Sequence, residues 1–297
     1  MNPEQKGQNQ SGKSAVFLKR LASTITLWTV VLAALFAPWK VISLSAFFII
    51  IVVLTVTGLL EFYGFIEKKN LPVYKICGIL AGVVYTAVVF CLHAFLHQDF
   101  LKLQIISFAV FSLLTVLIFS RRLISPVNSD GFIAAGNTFE GFLYIPFLLG
   151  FVQFIYFSFG PYVLFFFMLI TKFSDSGAYI FGSLFGKHKM APSISPGKTW
   201  EGFAGAIIVP VAVGFLTRYI FPTQLAQFSA LEIVALGVFL GISAVIGDLI
   251  ESVFKRECGV KDSGNYFPGV GGILDVLDSI LFNAPIMYFY LVIKNVF

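Results

Sequence analysis

Charge is scarce in this chain: only 12% of its 297 residues are Asp, Glu, Lys or Arg, whereas 58% are hydrophobic. Soluble domains carry about a quarter charged residues, so this composition excludes a water-soluble globule and predicts an integral membrane protein. Cysteine is sparse as well. Cys77, Cys91 and Cys258 form an odd, scattered set without metal-ligand spacing, which excludes a disulfide framework and leaves buried or lipid-facing thiols. The three histidines, His93, His97 and His188, join no Ser-His-Asp or Cys-His arrangement of the kind used in nucleophilic catalysis. His93 and His97 have helical spacing but lack a third ligand, so packing near the membrane surface explains them better than a metal does. No soluble domain, internal repeat or long low-complexity linker interrupts the chain, and no nucleic-acid partner is expected despite the net charge of +5.

What is abundant is apolar sequence of spanning length. Residues 1–20 are polar and read as a disordered cytoplasmic tail, with no cleavable signal peptide evident. Thereafter apolar runs at 21–39, 41–60, 76–96, 103–120, 139–159, 162–182, 202–221, 231–251 and 273–293 predict about nine transmembrane helices of roughly 20 residues each. The economical reading is one all-α, polytopic membrane domain over 21–297. Its first spans are more purely apolar and read as scaffold, and the part over about 162–297 carries the polar groups, around a cavity expected to face the cytosol. With the N-terminus inside, only Lys40, Lys102, Arg218 and Lys294 of the 20 lysines and arginines fall on the outer side. That bias is the positive-inside signature and predicts a cytosolic N-terminus.

The stretch from Gly247 to Ser279 crowds carboxylates, cations and glycines between two apolar segments. Asp248 lies four positions before Ser252, and Asp275 three before Asp278, so each pair shares a helix face. Between them come Lys255, Arg256 and Lys261, then Gly264, Gly269, Gly271 and Gly272, which let backbone approach a neighbour closely. Oxygen ligands suit a hard cation such as magnesium, and cations beside glycine-rich backbone suit phosphate. A metal-bound nucleoside triphosphate has both needs. Plainer readings stand beside this one: the acids could pair with basic residues at a helix end, and Lys255 and Arg256 could be ordinary anchors flanking a span.

A second polar group holds Lys172, Asp175, Ser176, Gly177, Ala178 and Tyr179, followed by SPGKTWEG from Ser195 to Gly202. An ionisable residue such as Asp175 inside a membrane segment is a functional candidate, with a local helix cap as the alternative. The SPGKTWEG run lacks the earlier glycine and preceding strand of a Walker loop, which excludes that motif. Glu140 and Glu201, each expected at the start of a span, fit the positive end of a helix dipole.

These two groups together resemble the phosphatidate cytidylyltransferase (CDP-diacylglycerol synthase) family. The family's signature is matched by Ser252, Lys255, Arg256, Lys261, Asp262, Gly264, Phe267, Pro268, Gly269, Gly271, Gly272, Asp275 and Asp278, and its second segment by Asp175 to Tyr179 with Ser195 to Gly202. Two positions depart: Val270 stands where the family has His, and Val276 where it has Arg. The resemblance implies transfer of a cytidylyl group from CTP to phosphatidic acid at the bacterial cytoplasmic membrane. On this reading Asp248, Asp275 and Lys255 are catalytic, and Asp248, Asp275 and Asp278 hold Mg2+. Lys198, Ser252, Arg256, Lys261, Asp175, Gly271 and Gly272 then bind substrate. The resemblance also allows a second, monovalent cation and a homodimer. A transporter or channel is the alternative from another class, and a polyprenol or other lipid-phosphate transferase the alternative within enzymes. Against transport, the charges lie on one side and in the C-terminal half only, without a matching repeat.

Overall fold

The computed structural model describes residues 25–96, 100–124, 130–260, 263–264 and 271–296. Among them, eight helical segments are long and apolar enough to cross a membrane, and the chain is a multi-pass, all-α membrane protein. The first expected span is described only as α1, Ile25–Phe36, which is short. The tail at 1–20 and residues 21–24 of that span lie outside the described residues, as do His97, Lys261, Asp262 and Val270.

Next come α2 (Lys40–Lys68), α3 (Lys75–Phe95) and α4 (Phe100–Ser120). In α3 the large side chains at Ile76, Leu80 and Val84 are exposed, while Ala81, Tyr85 and Val89 on the other face are buried. A spacing of four puts the exposed set on one face, and an apolar stripe of that length is stable against lipid rather than water.

The fifth span is one rod in three parts, α5 (Gly131–Phe142), a π-helical turn at Leu143–Phe147 and α6 (Leu148–Phe159). Pro146 lies within the π turn. Proline has no N–H to continue the ladder and its ring crowds the preceding turn, so the wider register forms around it. This span starts at Gly131, eight residues before the expected boundary, so Glu140 is well inside the helix and not at its positive end. A single residue, Gly160, then connects α6 to α7 (Pro161–Phe185). Its φ of 88° is left-handed backbone that glycine adopts without strain, and Pro161 starts the next helix with its φ already set.

After α7 the chain forms an antiparallel hairpin, β1 (Lys189–Ala191) and β2 (Ser195–Thr199), which the all-helical reading did not include. It leads directly into α8 (Trp200–Ile220), where the Thr199 hydroxyl caps the helix by accepting from the Gly202 amide at 3.1 Å. Helices α9 (Ala230–Glu257) and α10 (Ile273–Val296) complete the chain. Ser229 and Glu232 form a reciprocal capping box at the start of α9, and Glu232 also holds Lys294 near the end of α10 at 2.6 Å.

The four C-terminal helices meet through glycine. A Cβ on Gly177 of α7 would strike the Gly205 carbonyl of α8, and one on Gly205 would strike the Gly177 carbonyl. Likewise Gly241 of α9 lies against the Ala206 carbonyl, and Gly247 against the Asp278 carbonyl of α10, where a Cβ would sit 2.6 Å away. Small residues let helix backbones touch, the usual solution for close helix crossings in membranes. The Gly247 contact brings the neighbouring Asp248 up to the first turns of α10.

Candidate active site

Three carboxylates converge at this crossing. Asp248 and Glu251 of α9 and Asp278 of α10 each place one oxygen within 4.8 Å of the others. Asp248 and Glu251 are three apart on one helix face, so α9 supplies two of the group and α10 the third. Each acid has its own lysine. Lys198, at the end of the hairpin, contacts Asp248 at 2.9 Å; Lys255, one turn along α9, contacts Glu251 at 2.5 Å; and Lys172 of α7 lies 3.6 Å from Asp278. Glu251 is only 1% and Asp278 8% exposed, and buried acids of like charge at this range repel unless cations stand among them.

Asp275 occupies a different place in the same site. Its Oδ1 accepts from Lys255 at 2.6 Å, and its Oδ2 from the backbone amides of Gly272 at 2.7 Å and Ser263 at 3.2 Å. It is therefore joined to the other acids through Lys255, which bridges it to Glu251. The Ser263 hydroxyl closes the loop by donating to the second oxygen of Glu251 at 3.0 Å. Asp175 enters from α7: the Ser279 hydroxyl donates to it at 3.2 Å, and Lys172 reaches both Asp175, at 3.4 Å, and the Ser279 hydroxyl, at 2.8 Å. The Ser252 hydroxyl donates to Asp248 at 3.5 Å, its neighbour one helical turn back.

The structure thus brings Asp175, Lys198, Asp248, Ser252, Lys255, Asp275 and Asp278 into one network. Arg256 stands at its rim, where Nε donates to the Ile194 carbonyl in the hairpin turn at 3.1 Å. The backbone that glycine allows to come close meets carboxylate here. Gly271, with φ of 115°, abuts Asp275, and Gly264 and Gly272 both abut Glu61 of α2. His93 is far in sequence from this network and packs its ring on Phe154 and Phe157, with Nδ1 against the Val89 carbonyl. Glu201 lies in the first turn of α8 as expected, yet its carboxylate is used on the Lys187 and His188 amides and on the His188 ring at 2.6 Å.

Neither Glu61 nor Glu251 is marked by the sequence motifs. Glu251 had a local signal, since Asp248, Glu251 and Lys255 repeat at three and four and so share a face. Glu61 had only its position, an acid inside the long apolar run of α2.

The donor set is oxygen only and the acids outnumber the lysines: Asp175, Asp248, Glu251, Asp275 and Asp278 face Lys172, Lys198 and Lys255. Such a set fits a hard divalent cation.

The chain matches the Cytidylyltransferase family over residues 18–294. It belongs to that family. A phosphatidate cytidylyltransferase of Bacillus subtilis (strain 168) is 36% identical over 192 residues, which cover 64% of this chain and 68% of the relative. Others so named, from Staphylococcus saprophyticus and Haemophilus influenzae, are 45% identical over 131 residues and 41% over 133. The alignments with these two cover 44% of this cytidylyltransferase-family chain and only 49% and 46% of the relatives, about half their length.

Proposed function

We propose that the chain transfers a cytidylyl group from CTP to phosphatidic acid, giving CDP-diacylglycerol and pyrophosphate. The observation that carries this reading is the group of Asp248, Glu251 and Asp278, each with its own lysine, in a member of the cytidylyltransferase family. A phosphate oxygen of the lipid attacks the α-phosphorus of CTP in line. The bond from that phosphorus to the bridging oxygen breaks, and pyrophosphate leaves with the electron pair. The attacking oxygen is already ionised near neutral pH, so no strong general base is required.

Both reactants are anions, and the first task of the site is to supply positive charge where they meet. Lys172, Lys198 and Lys255 do so from α7, the hairpin and α9. Asp275, held by two amides, orients the Lys255 ammonium. Magnesium bound by Asp248, Glu251 and Asp278 would add Lewis-acid stabilisation of charge on the phosphate oxygens. The surplus of acids also leaves room for a monovalent cation. The uneven distribution of lysine and arginine supports an orientation with this end in the cytosol, where CTP is available, and the bacterial relatives support the cytoplasmic membrane as its place.

The test uses purified full-length protein in mixed micelles with labelled CTP and phosphatidic acid. Equal amounts of CDP-diacylglycerol and pyrophosphate are expected, with both lost in chelator and regained on adding magnesium. No lipid product in the presence of magnesium would overturn the reading, and product from a polyprenol phosphate alone would move the chain to a different acceptor. Against transport, the site's charged groups on α2, α9 and α10 lie toward one end of each helix, while Lys172 and Asp175 of α7 stand mid-way along theirs.

A further inference from the structure

We infer that Glu61 is a positioning residue: its carboxylate clamps the first turn of α10 and so sets where Asp275 and Asp278 stand relative to Lys255 and Glu251. The inference rests on the function proposed above for its catalytic arm, though not for its structural one. Glu61 belongs to α2, in the half of the chain that otherwise reads as apolar scaffold, and it is 7% exposed. One oxygen accepts from the Ile273 amide at 2.9 Å and the other from the Leu274 amide at 2.8 Å. The first amides of a helix have no partner within it and carry partial positive charge, so a buried carboxylate there is a strong, directed ligand.

The fit is close on every side. A Cβ on Gly272 would meet both carboxylate oxygens, and one on Gly264 would meet the nearer of them. The next amide back, that of Gly272, is taken by Asp275, so consecutive amides at Gly272, Ile273 and Leu274 are divided between two acids. Asp275 then passes its other oxygen to Lys255, and Lys255 reaches Glu251. Charge-assisted hydrogen bonds, joined through the backbone of Gly272–Leu274, therefore lead from α2 to the three-carboxylate group. Asp278 is one turn beyond Asp275 on the same helix, so a shift of the first turn moves both. Glutamine at position 61 keeps one acceptor but turns an N–H2 toward the second amide, while aspartate keeps the charge on a shorter arm.

The experiment compares the parent chain with Glu61→Gln and Glu61→Asp in the same micelles by hydrogen exchange of peptides covering 271–278, thermal midpoint, and kcat and KM for CTP. Glu61→Gln is expected to speed exchange at the start of α10 by about tenfold and to lower kcat by about tenfold, with KM for CTP within about twofold because the lysines are untouched. Glu61→Asp should recover part of both. Unchanged exchange at 271–278 overturns the inference. So does faster exchange across all helices with a collapsed thermal midpoint, which would mark a general packing role. If the parent itself makes no CDP-diacylglycerol, the proposed function fails, and the exchange arm still decides whether Glu61 holds α10.

Discussion

The N-terminal and C-terminal helices solve the same packing problem with different materials. Where α2, α3 and the fifth span meet, the tight glycines face side chains: Gly78 and Gly141 face Tyr63, Gly82 faces Leu59 and Gly58 faces Ile145. Ring-on-ring contacts fill the rest, such as Phe47 of α2 stacked on Tyr156 at 4.2 Å between centroids, and extend to α4, where Phe111 stacks on Phe142 at 5.3 Å. Among α7, α8, α9 and α10, Gly177, Gly205, Gly241 and Gly247 face backbone carbonyls instead, whereas Gly214 and Gly237 first meet the Ile233 and Val211 side chains. A side chain can change rotamer to make room, whereas a backbone carbonyl moves only with its helix. The crossings of α7 on α8 and of α9 on α10, beside the carboxylates, are thus ones that cannot adjust by rotamer, which suits a site whose charges must keep their spacing.

The largest expected break in that comparison comes from the charges. Asp278→Asn or Glu251→Gln should lower turnover by about a hundredfold or more, as loss of a group acting on transition-state charge does, in a protein that still elutes as the parent does. Turnover within a few-fold of the parent in both would remove the three-carboxylate group from the mechanism. Next in size is the glycine contrast. Gly205→Ala should destabilise by about 1 to 3 kcal/mol through overpacking against the Gly177 carbonyl, while Gly58→Ala, whose Cβ would be 3.2 Å from the Ile145 side chain, should stay within about 1 kcal/mol. Equal shifts in thermal midpoint would erase the distinction between the two halves. The smallest effect concerns Cys258, just past α9, whose thiol donates to the Phe65 carbonyl at 3.5 Å. Burial holds this thiol above its ordinary value of 9.0 and keeps it protonated at neutral pH. Maleimide labelling should therefore be slow at pH 7 and should reach half its maximal rate at a higher pH than an ordinary thiol does. Fast labelling at neutral pH would mean that the thiol is free of Phe65.

Much of this was legible in the sequence because hydropathy and helix period act locally. The expected spans from Val41 onward each coincide with a helix. Asp248 and Ser252 sit on one face as their spacing required. The hairpin was hidden because strands of three and five residues carry too few side chains to show a period. Asp275 could not be separated from Asp248 and Asp278 by spacing, since what distinguishes it is Lys255, 20 positions away. Glu61 was further out of reach. Its partners lie 212 and 213 positions along the chain, and only the packing of α2 on α10 makes them neighbours.

The ion pair between Glu232 and Lys294 has a mechanical meaning. It joins the start of α9 to the end of α10, and Lys255 with Asp275 joins the opposite ends of the same two helices. Two rods pinned at both ends form a closed frame. They can neither scissor about their crossing nor slide lengthwise unless a pin is drawn, and both pins are partly shielded from water, where opposite charges hold more firmly than at an open surface. A strain applied at the far side of the bilayer would thus reach the carboxylates as a movement of the whole frame, with the distances inside it preserved.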